Sequence, residues 1–85
     1  MQVGKCYMVT EASGMVYIGR CIEIIGPHTA LLEEAAWVSD TGQFLSTFVQ
    51  DGRTEQMEIE PVGVRCCQWV GWGPWNHPLF KERVG

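Results

Sequence analysis

The residues with reactive side chains are few, and their spacing decides which chemistry is open to them. Cys66 and Cys67 are adjacent, Cys6 and Cys21 are isolated, and the only histidines are His28 and His77. Structural zinc sites use paired cysteines separated by two to four residues, a spacing absent here. In an extended chain, neighbouring cysteines point to opposite faces, so Cys66 and Cys67 do not chelate one ion together. Nucleophilic cysteine chemistry needs a base within hydrogen-bond reach. His28 sits in a turn signal and His77 in a Trp-rich tail. The cysteines therefore read as small buried hydrophobes. Among the carboxylates Glu33, Glu34, Glu55, Glu58 and Glu60, the alternation Gln56-Met57-Glu58-Ile59-Glu60 reads as a strand with a solvated acidic face. No Gly-rich phosphate loop is present. These readings assign no catalytic residue, no metal and no cofactor.

The most site-like stretch is Trp37-Val38-Ser39-Asp40-Thr41-Gly42-Gln43. It joins an aromatic ring that can stack on a base to a polar run at an expected strand-to-helix junction, where free N–H groups can receive an anion. Trp37, Ser39, Asp40, Thr41 and Gln43 are the candidate ligand-binding residues. Arg20 and Arg65 are the cations expected beside them, because a guanidinium pairs two phosphate oxygens. Trp69, Trp72, Trp75 and His77 are a candidate subunit interface, since aromatics are enriched in interface cores. The competing readings are a capped turn with Trp37 in the core, and a Trp tail that simply closes the fold.

The elements that must position these residues follow from periodicity. Cys6 to Glu11 reads as a strand, Ala12-Ser13-Gly14 as a turn, and Met15 to Ile25 as a long strand bent at Gly19-Arg20. Gly26-Pro27-His28 turns the chain into a third strand, Thr29 to Val38. Asp40 or Thr41 is expected to cap a short helix carrying Phe44, Leu45, Phe48 and Val49 at helical spacing. Phe44 and Phe48 are expected against the sheet, and Gly52 as the left-handed residue that ends the helix. Gln56 to Glu60 is a fourth strand closed by Pro61, and Val62 to Gln68 a fifth. Trp69 to Phe80 reads as an ordered irregular tail, and Lys81 to Gly85 as a frayed end. The expected fold is mainly β with one short helix, a small SH3-like or Sm-like barrel of order β-β-β-α-β-β, with an open meander carrying one helix on a face as the alternative.

Composition sets the outer limits. The chain has 85 residues, enough for one domain spanning 1–85, and is 46% hydrophobic with four Trp. A thin core does not hide that much apolar surface, which suggests a homo-oligomer. The net charge is −4, with six basic residues scattered along the chain. Long nucleic acid needs a basic stripe, so it is an unsuitable partner, whereas a small anion held by two or three Arg is not excluded. Met1-Gln2-Val3-Gly4-Lys5 leads into a strand-like run and not an apolar leader. No apolar stretch approaches the roughly 20 residues that span a bilayer. The expected location is therefore the cytoplasm, with no membrane partner.

The segment Leu32-Glu33-Glu34-Ala35-Ala36-Trp37-Val38-Ser39-Asp40-Thr41-Gly42-Gln43-Phe44 resembles a family of uncharacterised small phage and prophage proteins. In that family a hydrophobic-acidic-Ala-Trp segment runs into an Asp-Thr/Ser-Gly-Arg-Phe turn. The likeness continues at Glu58-Ile59-Glu60-Pro61, at Pro74-Trp75-Asn76-His77-Pro78-Leu79, and around Gly4 and Gly19-Arg20. Gln43 departs from it, standing where a basic residue is expected, so any anion contact of that residue is weakened here or passes to Arg20, Arg53 or Arg65. The resemblance implies a phage setting in a bacterial host cell. By analogy of size and setting with other small phage proteins, it implies a non-enzymatic oligomer that sequesters a nucleotide-like immune signal. The alternative is an interaction module that binds a protein through its Trp surface.

Overall fold

A computed structural model describes all residues, Met1 to Gly85. The elements are β1 (Cys6–Glu11), β2 (Val16–Gly26), β3 (Thr29–Asp40), α1 (Leu45–Asp51) and β4 (Glu58–Pro74). All strand pairs are antiparallel: β1 with β2, β2 with β3, β3 with β4, and β4 with β1.

The five-stranded SH3-like or Sm-like barrel expected from the sequence is not formed. The protein is a four-stranded antiparallel sheet plus one helix, in the order β-β-β-α-β. That sheet curls far enough for β1 to pair with both β2 and β4. The correction lies in β4, a single strand of 17 residues where two were expected. Pro61, which has no N–H to give a ladder, stands opposite Ala36 beside a register shift. Gly63 takes φ 80°, opposite Ala35. The chain bulges across Pro61 to Gly63 and continues as a strand. Trp69 and Trp72, expected in an irregular tail, belong to this strand and pair with Glu11 and Val9 of β1.

Alternation gives each face of the sheet its own core. Tyr7 and Val9 of β1 point to one side, with Tyr17, Cys21, Leu32, Ala35 and Cys67. Cys6 and Met8 point to the other, against Ile18, Ala36, Val38, Ile59, Phe48 and Trp75. The bend expected at Gly19-Arg20 is present as a register shift between Ile18 and Arg20. A Cβ at Gly19 would lie only 3.1 Å from the Glu33 carbonyl oxygen and from the Leu32 Cβ, so β2 and β3 approach closely there.

The helix has the expected two turns but begins after Phe44, which its spacing had placed inside it. Phe44 is its N-cap, without a side-chain cap, and is 82% exposed. Phe48 alone anchors α1 to the sheet. Asp40 does not cap the helix. Its Oδ1 accepts the Gly42 N–H at 2.8 Å and closes a local turn. Gly52 ends the helix in the left-handed region, as expected, with its N–H donated to the Phe48 carbonyl.

The end expected to fray is tied back to the sheet. Val84 and Ile59 exchange two backbone hydrogen bonds of 2.9 Å. This contact lays the segment after Phe80 along the edge of β4 near Glu58 and turns it into a wall of the candidate site.

Candidate functional site

The expected ligand residues separate into four places. Arg20 is held by the carboxylates of Glu33, at 3.1 Å, and Glu34. Its hydrogen bond keeps the Glu34 carboxyl below the ordinary carboxylate range. Glu34 has φ 48°, at an irregularity of β3, and Lys81 lies 3.7 Å from its other oxygen.

Arg65 packs over Tyr17, the cross-strand neighbour of Trp37, but does not line the groove that Trp37 borders. One of its terminal nitrogens donates to both oxygens of Glu11, at 3.0 and 3.2 Å. Its guanidinium carbon lies 4.4 Å from the centre of the Tyr17 ring, within cation–π range. Burial opposes the charge on Arg65, and Glu11 outweighs it. Both expected phosphate arginines are therefore engaged by carboxylates of the chain itself.

Asp40 and Gln43 flank a shallow depression with Gly42 and Phe44. The Thr41 hydroxyl is turned to the Gln43 carbonyl, and the Thr41 carbonyl accepts from Thr54. This polar run is largely spent on holding its own loop. The helix that follows has 7 residues and supplies no anion site of its own.

Trp37 and Ser39 do meet in a groove. They line a depression of about 310 Å³ together with Glu58, Glu60 and Arg83. Register explains the grouping, since Trp37 pairs with Glu60 and Asp40 with Glu58 across β3 and β4. The Ser39 hydroxyl reaches the Glu58 carbonyl at 3.3 Å and the Glu58 carboxylate at 3.4 Å. The tail brings Arg83 to the same place. A second groove, of about 610 Å³, shares Arg83, Val84 and Gly85 with the first and adds Arg53, Phe80 and Lys81. Sequence reasoning missed Lys81 and Arg83, and named Arg53 only as one of three arginines able to take the place of a basic residue at position 43. Glu58 and Glu60 were read only as a solvated face, because nothing local shows that the tail docks beside them.

The candidate interface residues also divide. Trp75 is 3% exposed, packs on Phe48 and Phe80, and donates its indole N–H to the Pro78 carbonyl. His77 lies edge-on to Trp75 with Nε2 2.8 Å from the Val49 carbonyl. Both join the tail to α1 within one copy of the chain. Trp69 packs on the first core with its ring edge-on to His28. Trp72 is 44% exposed and packs edge-on to Tyr7.

The four cysteines are free. Burial pushes the Cys67 thiol up to about 11 and raises Cys21 as well. No three His, Cys, Asp or Glu side chains gather where they could hold a metal ion, and no helix is long and apolar enough to cross a membrane. Compared with protein-family models, curated proteins and solved structures, the chain matches none.

Proposed function

We propose that this chain is a non-enzymatic binding protein for a small nucleotide-like ligand, of the kind a phage protein uses to sequester a host signal. The observation that carries the reading is the groove joining Trp37, Ser39, Glu58, Glu60 and Arg83. An indole face stacks on any base. Carboxylates accept hydrogen bonds from ribose hydroxyls and base N–H groups, and Arg83 supplies a cation beside them. A ligand that binds the folded state alone raises thermal stability by mass action. The test is thermal denaturation with the ribonucleosides and their phosphates, followed by equilibrium dialysis. A concentration-dependent rise in melting temperature supports the reading, and no rise with any of them counts against it.

A second reading, a protein-interaction module or homo-oligomer, rests on a different surface. Val62, Val64 and Val70 on β4 are 43%, 64% and 69% exposed, beside the half-exposed Trp72. From Pro61 to Phe80 the only charged residue is Arg65, whose charge is met by Glu11. Sedimentation of the parent and of Val64→Asp tests this. A 9.6 kDa species at micromolar concentration counts against self-association, whereas an oligomer dispersed by the substitution supports it.

A further inference from the structure

We infer that the larger tail groove is an oxyanion site that takes the phosphate groups of the ligand whose base lies at Trp37. This rests on the binding reading above and names the ligand class: a nucleotide carrying at least two phosphate charges.

Charge distribution is the first argument. The chain carries −4 overall, yet three of its six basic residues, Arg53, Lys81 and Arg83, wall a single groove whose one acidic lining residue is Glu82. Arg20 and Arg65 are each neutralised by carboxylates at 3.1 Å or closer. Arg53 and Arg83 make no ion pair, and Lys81 has only its 3.7 Å approach to Glu34, with a side chain 76% exposed. Ten acidic residues are present in the chain; Glu58 and Glu60 share the smaller groove with Arg83, but none of the ten forms an ion pair with either guanidinium group.

Construction is the second argument. Arg53 follows Gly52 at the end of α1, and Lys81 and Arg83 sit on the tail that Val84 fixes to Ile59. Phe80, parallel to Phe48 with ring centres 6.3 Å apart, supplies the groove's apolar lining with Pro78 and Leu79. Cations gathered from two segments of the chain around one groove suit phosphate oxygens, which guanidinium groups bind in pairs.

Continuity is the third. Arg83, Val84 and Gly85 border both grooves, so one ligand can place its base against Trp37 and its phosphates between Arg53, Lys81 and Arg83.

Calorimetry at low salt with the four ribonucleosides, their 5′-diphosphates and inorganic pyrophosphate tests this on the parent, Arg53→Ala, and the Arg53→Ala/Lys81→Ala pair. Arg53 and Lys81 are exposed and line only the larger groove, and circular dichroism verifies that the variants fold. The expected result is a diphosphate bound at least tenfold more tightly than its nucleoside, with that gain lost in the double variant while nucleoside affinity is retained. Equal affinity for nucleoside and diphosphate, or a gain that survives the double substitution, overturns the phosphate site and leaves the binding reading standing. Absence of binding by nucleosides, diphosphates and pyrophosphate alike overturns both.

Discussion

The imidazole of His77 is packed against Gly52, the left-handed residue that ends α1. A Cβ at position 52 would lie 2.5 Å from His77 Nδ1 and 2.8 Å from its Cβ. The same imidazole reaches the Val49 carbonyl through Nε2 at 2.8 Å, so the helix end and the tail lock each other. Gly52→Ala combines two penalties. An L-residue at φ 75° costs about 1–2 kcal/mol, and the overlap with a ring pinned by Trp75 adds about 1–3 kcal/mol. Urea denaturation is expected to show a loss of roughly 2–5 kcal/mol. In a His77→Ala background the same substitution is expected to cost only the backbone share. Equal losses in the two backgrounds would show that the ring is not the obstacle.

Arg65 and Glu11 provide a second stability test. The Glu11 side chain is 13% exposed, and Arg65 Nε is buried without a hydrogen-bond partner. Removing one member leaves the other without its partner. Arg65→Met and Glu11→Gln are each expected to lower stability by about 1–3 kcal/mol. The double variant should cost less than the sum of the two. Additive losses in urea would show that the pair is not coupled.

These two contacts also show where the sequence was legible. The bounds of β1 agree with its alternating pattern, and the bulge at Gly19 and the helix end at Gly52 follow from residue type. The single β4 was not legible. Pro61 and Gly63 are both ordinary stops, and only the β3 ladder on their far side carries the strand through them. Phe44 has helical spacing but lies outside the helix. Half of the candidate site, Trp37 and Ser39, was visible as an aromatic beside a polar run. The cationic half was not, because a charged terminal segment reads as solvated until Val84 is seen to pair with Ile59 across 25 positions of sequence.

Alkaline pH is expected to weaken the fold through Cys67. Burial holds this thiol up from 9.0 to about 11. Below pH 9 the folded and unfolded chains bind the same thiol proton, and stability is unaffected. Between pH 9 and 11 the unfolded thiol ionises while the folded one stays neutral, so stability falls as pH rises. Two pH units correspond to at most about 2.7 kcal/mol, and a loss of about 1–2.5 kcal/mol from this thiol is expected. Cys21, also raised by burial, acts in the same direction. Cys67→Ala should therefore reduce the slope of stability against pH without abolishing it. Urea midpoints at pH 8, 9, 10 and 11 measure this, and an unchanged slope in the variant would exclude Cys67 as its source.

Ligand affinity is expected to depend on the groove residues and not on Arg20. Trp37 is half-buried and lines the groove. Losing its stacking face costs about 1–3 kcal/mol per base, so Trp37→Ala should weaken nucleotide binding about 5- to 150-fold. Trp37→Phe keeps a ring and should recover part of that loss. Ser39→Ala removes a hydroxyl that already donates toward Glu58, and the expected loss is smaller, near 1 kcal/mol. Arg20→Ala should leave affinity unchanged, because that guanidinium is bound by Glu33 and Glu34 and lines neither groove. Tryptophan fluorescence cannot serve as the sole readout with three other indoles in the chain, so equilibrium dialysis with radiolabelled nucleotide is the measurement. If Arg20→Ala abolishes binding while Trp37→Ala retains it, the ligand lies at the β2–β3 bulge and the groove beside the tail is not the site.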